Sequence, residues 1–191
     1  MSWAILREFV RHPARTGAVA ASSAALARAM VSEIGLASAR RIVEYGPGTG
    51  VFTREILARK RPDAELWAFE LNANLAAAFR ARFPRVSLFE VSAAAAPDRL
   101  PADAVGQVDC IVCGLPWAAF SDAIQAELLA ATLTTLRPGG RFATFAYLQG
   151  LLLRAGRRFR RRLHERFGRV ETSPVVWRNL PPAFVYRCEK E

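Results

Sequence analysis

Histidine, cysteine, acidic side chains and long apolar runs are all scarce in this sequence, and each shortage removes a class of chemistry. His12 and His164 are the only histidines. Both sit among arginines rather than beside further ligands, so neither a zinc site nor a catalytic imidazole assembles from them. Three cysteines are an odd number in a chain large enough to fold without staples, which argues against a disulfide framework and for a reducing compartment. Cys110 and Cys113 form a C-x-x-C, but the setting Val108-Asp-Cys-Ile-Val-Cys113 reads as a buried strand. Residues three apart in a strand point to opposite faces, so the pair reads as small core hydrophobes rather than a metal or redox site. No uncharged run approaches the roughly 18–20 apolar residues of a bilayer span; Phe142 to Leu153 is among the longest. The Thr16 to Ala27 stretch is Ala/Ser/Gly-rich rather than Leu-rich, so it reads as leading into a helix and not as a cleaved signal, and an intracellular chain is expected. Acids number 17 against 27 Lys and Arg, giving a formal net charge of +10 and a pI near 10.9. Such a balance attracts polyanions, of which nucleic acid and anionic membrane are the two candidates.

What is present is enough for one globular domain: 191 residues, 52% of them hydrophobic. Trp3, Ile5, Leu6, Phe9 and Val10 fall at helical spacing with Arg7 and Arg11 on the flank, predicting a short basic amphipathic helix that Pro13 ends. A second helix is expected from about Ser22 to Ile34. Strands are then predicted at 41–45, 66–70, 86–91, 108–113 and 142–148, separated by helices at 51–60, 72–82, a weak one around Asp98, and 121–136. Arg137-Pro-Gly-Gly140 reads as a turn. This alternation argues for an α/β fold, a Rossmann-like, mostly parallel sheet with helices on both faces. Val170 to Trp177 and Ala183 to Cys188 bring the strands to seven and suit a C-terminal antiparallel hairpin at the sheet edge. Between them and the fifth strand, a helix from Leu151 to Phe167 is dense in arginine, with Phe159, Leu163 and Phe167 as its apolar stripe.

The most specific feature is Glu44-Tyr-Gly-Pro-Gly-Thr-Gly50, a glycine loop between the first strand and its helix, which lets the backbone approach a ligand and aims free N–H groups at it. The third glycine comes one residue too early for a dinucleotide fingerprint. Glu44, at the strand end, suits an ammonium or sulfonium and repels a pyrophosphate. Glu70 closes the second strand, the position from which a carboxylate holds ribose hydroxyls in this topology.

With both acids in place, the chain resembles the class I S-adenosylmethionine-dependent methyltransferases. Further motifs resemble the bacterial phospholipid N-methyltransferases over nearly the whole length: Phe9-Val-Arg-His-Pro13 with Thr16-Gly17-Ala18, Gly46 to Gly50, Gly114-Leu-Pro116, Leu136-Arg-Pro-Gly-Gly140 and Trp177-Arg-Asn-Leu-Pro-Pro-Ala183. The resemblance implies a single methyltransferase domain over 1–191, with residues 1–35 as a helical segment that docks on membrane and covers the cofactor. It implies S-adenosylmethionine contacts at Glu44, Gly46, Pro47, Gly48, Thr49, Gly50, Glu70, Leu71, Ser92, Ala93, Gly114 and Leu115, and no metal. Ser92 stands where related enzymes carry an Asp for the adenine amino group, with Glu90 two residues earlier. A hydroxyl accepts that bond without charge assistance.

The implied reaction is N-methylation of an amino-phospholipid headgroup, from phosphatidylethanolamine toward phosphatidylcholine, at the inner face of the cell membrane. Trp117, Tyr147 and Tyr186 are candidates to face the growing cation at the reacting methyl, because aromatic faces attract quaternary ammonium. Arg178 and Asn179 are candidates for the lipid phosphate. The basic elements Trp3 to Arg11 and Leu151 to Arg169 are candidates for docking on anionic lipid, although Phe159, Leu163 and Phe167 suit a core equally well. Three alternatives stay open: an rRNA adenine methyltransferase-like enzyme, an enzyme for another amino lipid such as ornithine lipid, and a noncatalytic membrane-binding protein. Gly114 argues against the first, since it offers no side chain to grip an exocyclic amine, and no stable nucleic-acid partner is expected. Oligomeric state is not legible.

Overall fold

The computed structural model describes residues 22–191; the helix predicted over Trp3–Val10 and the Thr16-Gly17-Ala18 motif lie outside the described residues. Helix α1 (Ala24–Val31) starts where Ser23 caps it, the hydroxyl oxygen accepting the Leu26 N–H at 3.1 Å. Then come β1 (Arg41–Tyr45), α2 (Val51–Arg59), β2 (Glu65–Phe69), α3 (Ala73–Arg82), β3 (Ser87–Phe89), the one-turn α4 (Ala96–Arg99), β4 (Val108–Cys113) and α5 (Asp122–Thr135). The chain closes with β5 (Leu136–Tyr147), α6 (Arg154–Arg166), β6 (Arg169–Thr172) and β7 (Ala183–Glu189).

The seven strands form one sheet in the order β3-β2-β1-β4-β5-β7-β6. Strands β1 to β5 are parallel, and β7 runs antiparallel to both β5 and β6. The C-terminal hairpin is therefore present, but its second strand is inserted next to β5 and its first strand is the edge. Alternation sorts side chains to two cores: Val43 and Tyr45 go to one face and Ile42 to the other. Helices α1, α2 and α3 cover the Ile42 face, while α4, α5 and α6 cover the Tyr45 face. Cys110 and Cys113 likewise divide between the two cores. The Cys110 thiol donates to the Ile34 carbonyl at 2.7 Å, and burial pushes both thiols up to about 12.

Three expectations change. The Arg137-Pro-Gly-Gly140 turn is part of β5, because Gly139 N–H donates to the Lys190 carbonyl and the Gly140 carbonyl accepts from Lys190 N–H. The extra residues are absorbed as a register shift against β4. The strand expected over Val170–Trp177 stops at Thr172, where Ser173-Pro174 follows and proline has no N–H for the ladder. The helix expected from Leu151 begins at Arg154, preceded by a 3₁₀ segment Leu148–Leu152 and the extended Leu153. Its stripe is core: Phe159 stacks on Trp117 at 4.2 Å between ring centres, Phe167 stacks on Phe142 at 5.7 Å, and Leu163 is buried. These side chains are closed to a membrane, which corrects one of the two uses the stripe allowed.

Candidate active site

The chain runs outward from β1 through β2 to β3, then crosses back to β4 and β5. This reversal opens a crevice at the carboxyl ends of β1 and β4, where ligands bind in open α/β sheets. The Glu44–Gly50 loop and Gly114-Leu115 meet there. Gly46 N–H donates to the Phe69 carbonyl at 2.9 Å, and Gly114 N–H donates to the Tyr45 carbonyl at 2.7 Å. The two loops touch so closely that a Cβ on Gly46 would lie 2.7 Å from Leu115 Cδ2, and one on Gly114 would lie 2.7 Å from the Gly46 carbonyl oxygen. Gly48, at φ +54°, faces open space: a Cβ there meets nothing within 4 Å. The loop is thus packed beneath and open above.

Two carboxylates frame it. Glu44 is fully buried at the end of β1; its Oε2 accepts from Thr53 Oγ1 at 2.7 Å, and Oε1 has no partner among the described residues. Burial pushes its carboxyl up to about 8, against the lowering effect of the Thr53 hydrogen bonds and with Glu70 adding repulsion. Glu70, also buried, accepts from Gly48 N–H at 3.1 Å and from Asn72 N–H at 2.9 Å, tying the β1 and β2 loops together. Burial raises its pKa, against these backbone bonds. The Leu71 amide also acts on the carboxylate, and of its four lone pairs at least one remains for an incoming hydroxyl.

The other predicted residues divide into those at the crevice and those elsewhere. Pro47 accepts from Gly50 N–H within the turn, the exposed Thr49 carbonyl accepts from Arg82, and half-buried Leu71 follows Glu70 into the core. Ser92 caps the short 3₁₀ turn containing Ala93, its Oγ accepting from Ala94 N–H at 3.2 Å, and keeps one lone pair and its proton. Glu90 is paired with Arg80 at 2.8 Å. Tyr147 closes β5 at the carboxyl edge, half-buried, its ring against Phe145, which in turn meets Phe52 at the start of α2. Trp117 and Tyr186 are core instead. The indole is buried on Phe159 with its N–H donating to Thr144 Oγ1 at 2.9 Å, and Tyr186 sits mid-strand opposite Thr144 with its ring against Phe159 and Phe184.

Arg178 is exposed, whereas Asn179 is buried with both polar atoms committed: Oδ1 accepts from Ser23 N–H at 2.9 Å and Nδ2 donates to the Pro181 carbonyl at 2.8 Å. Asn179 ties the β6–β7 loop to the start of α1, and with one Nδ2 hydrogen spent on Pro181 it keeps a single donor on a side chain that is buried. Sequence reasoning missed Thr53, which orients Glu44. Its signal was available, since a hydroxyl three residues into the helix after the glycine loop faces back toward the strand end.

An unpartnered buried carboxylate oxygen at the end of β1, a glycine cradle open above Gly48, and a second carboxylate one strand over form a candidate site on a doubly wound sheet, with chemistry suited to an ammonium and a pair of hydroxyls. Residues 42–140 match the family model described as a methyltransferase domain. The chain is 32% identical over 186 residues, 96% of its own length and 93% of the relative's, to the ornithine lipid N-methyltransferase of Singulisphaera acidiphila. Among solved structures, the O-methyltransferase of tomaymycin synthesis from Streptomyces achromogenes, in complex with SAM, superposes with a TM-score of 0.71 at 18% identity, covering 96% of this chain and 89% of that one. A SAM-dependent methyltransferase from Aquifex aeolicus gives 0.64 at 11% identity, covering 86% and 89%. The chain belongs to the methyltransferase family and is an S-adenosylmethionine-dependent N-methyltransferase.

Proposed function

We propose that this enzyme methylates the amine of a lipid headgroup at an anionic membrane surface on the inner face of the cell membrane. The observation that carries the reading is the near full-length similarity to a relative named for ornithine lipid N-methylation. Ornithine lipid is therefore the first substrate to test. Phosphatidylethanolamine is the second, supported by the motifs shared with phospholipid N-methyltransferases. No helix among the described residues is long and apolar enough to cross a membrane, which is compatible with peripheral attachment.

Bound S-adenosylmethionine supplies a methyl group on a positively charged sulfur, ready for in-line transfer to a neutral amine. The chain's part is positioning and charge. In the proposed arrangement Glu44 Oε1 takes the cofactor's ammonium, Glu70 takes the ribose hydroxyls, and the open face of Gly48 admits the cofactor against backbone. Ser92 and Ala93 border the base. Gly114 and Leu115 wall the reacting end, and Tyr147 offers an aromatic face at the same edge. Gly114 also argues against a nucleobase acceptor, because the Gly46 carbonyl occupies the space any side chain there would need.

The test is methyl transfer from radiolabelled S-adenosylmethionine to ornithine lipid or phosphatidylethanolamine in detergent micelles, with unmethylated RNA as a control acceptor. Label in a lipid supports the reading and identifies the headgroup. Label in RNA alone overturns it.

A further inference from the structure

Of the large apolar side chains exposed among the described residues, all but Leu57 lie in two short segments at one edge. Leu148 (38% exposed), Leu152 (77%) and Leu153 (52%) follow β5, while Trp177 (67%) and Leu180 (77%) lie in the β6–β7 loop. The segments are neighbours: Leu148 N–H donates to the Pro182 carbonyl at 2.9 Å, Tyr147 pairs with Ala183, and Val176 bridges Ala183. Both stand at the carboxyl end of β5, the end at which the crevice opens. Internal bonds hold them: Leu153 N–H donates to Gly150, Arg157 donates to the Leu152 carbonyl at 3.2 Å, and Asn179 is fixed as described.

The charge around these side chains has one sign. Arg154, Arg157 and Arg160 at the start of α6, and Arg178 in the loop, are exposed. Neither residues 136–164 nor residues 172–188 contain an Asp or Glu. The nearest acid to the α6 arginines on a neighbouring element, Asp122, is spent on Arg158 at 3.0 Å and Arg162 at 2.7 Å. Exposed Leu and Trp at the tip with arginines behind them match a bilayer interface, apolar groups among acyl chains and guanidinium groups at anionic headgroups. A nucleic acid would use the arginines but leave five apolar side chains in water.

Resting on the amino-lipid reading, we propose that the Leu148–Leu153 segment and the Trp177–Leu180 loop together form the membrane-inserting rim, which seats the crevice against an anionic bilayer. This surface differs from the α6 stripe, whose Phe159, Leu163 and Phe167 are interior. Substrate headgroups then enter from the bilayer directly at the carboxyl ends of β4 and β5.

The experiment uses the full chain with Trp3→Phe, so that Trp177 is the one exposed indole beside buried Trp67 and Trp117, and vesicles of phosphatidylcholine with or without phosphatidylglycerol. Brominated acyl chains in the anionic vesicles should quench and blue-shift the Trp177 emission. Trp177→Ser with Leu180→Ser should lower vesicle partition at least about tenfold, and Arg154→Glu or Arg157→Glu about fivefold each. Activity of the serine pair on detergent-dispersed lipid should match wild type. Unchanged partition, or no quenching of vesicle-bound protein, overturns the proposal. Quenching that appears only after deletion of residues 2–21 identifies the chain's own N-terminal segment as the occupant and also overturns it, as does a dimer that the serine pair dissolves. If wild type methylates no lipid in detergent, the functional reading fails while the quenching result still decides the rim.

Discussion

Replacing Glu44 by Gln should make the cofactor-free protein markedly more resistant to alkaline pH. The buried carboxyl, raised from its ordinary 4.5 to about 8, holds its proton in the fold, while the unfolded chain releases it above 4.5. Between those two values the folded state binds the extra proton, so stability contributed by this group is full below 4.5, falls as pH rises, and is gone above about 8. At about 1.4 kcal/mol per pH unit the loss accumulates to roughly 5 kcal/mol. Gln is neutral throughout and its oxygen can still accept from Thr53, so the variant escapes the decline. The two proteins should melt together near pH 4.5 and diverge as pH rises. By pH 8 the variant should melt about 10–20 °C higher, at the usual 2–4 °C per kcal/mol for a chain of this size. Thermal unfolding by circular dichroism across that range reads the difference directly. Glu70, raised in the same direction by burial, and Asp109, lowered where Arg137 and the Arg40 and Arg41 amides outweigh its burial, contribute to both curves. The difference between the curves therefore isolates Glu44 and its coupling to Glu70. Melting curves that stay parallel from pH 4.5 to 8 would refute the reasoning. On the proposed assignment the same variant loses cofactor binding, and wild type releases a proton on binding below pH 8, seen by calorimetry as a dependence on the buffer's ionisation heat.

Gly48→Val should fold, at a penalty of about 1–2 kcal/mol for a β-branched residue at positive φ, yet lose S-adenosylhomocysteine binding by calorimetry because it fills the open cradle. Asn179→Ala should destabilise the chain by about 1–3 kcal/mol by leaving Ser23 N–H without its acceptor, and hydrogen exchange should rise at the start of α1 and in the β6–β7 loop. Phe159→Ala should lower unfolding free energy in urea by about 3–5 kcal/mol, far more than a helix lying on a membrane with its stripe outward would allow.

The parts of the structure legible in the sequence are those written locally. Glu44 and the glycine loop occupy seven consecutive residues, and strand periodicity alone divides Cys110 from Cys113. The parts that escaped depend on distant partners. Helical spacing identified Phe159, Leu163 and Phe167 as one face, but only Trp117 and Phe142, brought up by other elements, decide that the face is interior. Arg137 to Gly140 carries turn residues, and its place in the sheet is fixed by Lys190 at the far end of the chain. Asn179 reads as a free polar residue until Ser23, 156 positions earlier, claims its oxygen. The ends of their segments place Trp117 and Tyr186 at the reacting methyl, and the side-chain directions that bury both rings are not encoded in that spacing. The same non-local folding gathers Leu148, Leu152, Leu153, Trp177 and Leu180 at one edge, although nothing in their separate segments links them.

The most direct test of the account is lipid mass spectrometry on a bacterial host that contains both phosphatidylethanolamine and ornithine lipid, lacks its own lipid methylation, and expresses this chain. The account expects an amino lipid carrying one or more added methyl groups on its headgroup nitrogen, and none when Glu44→Ala or Gly48→Val is expressed to the same level. An unchanged lipid profile with the wild-type protein folded, cofactor-bound and membrane-associated would contradict it.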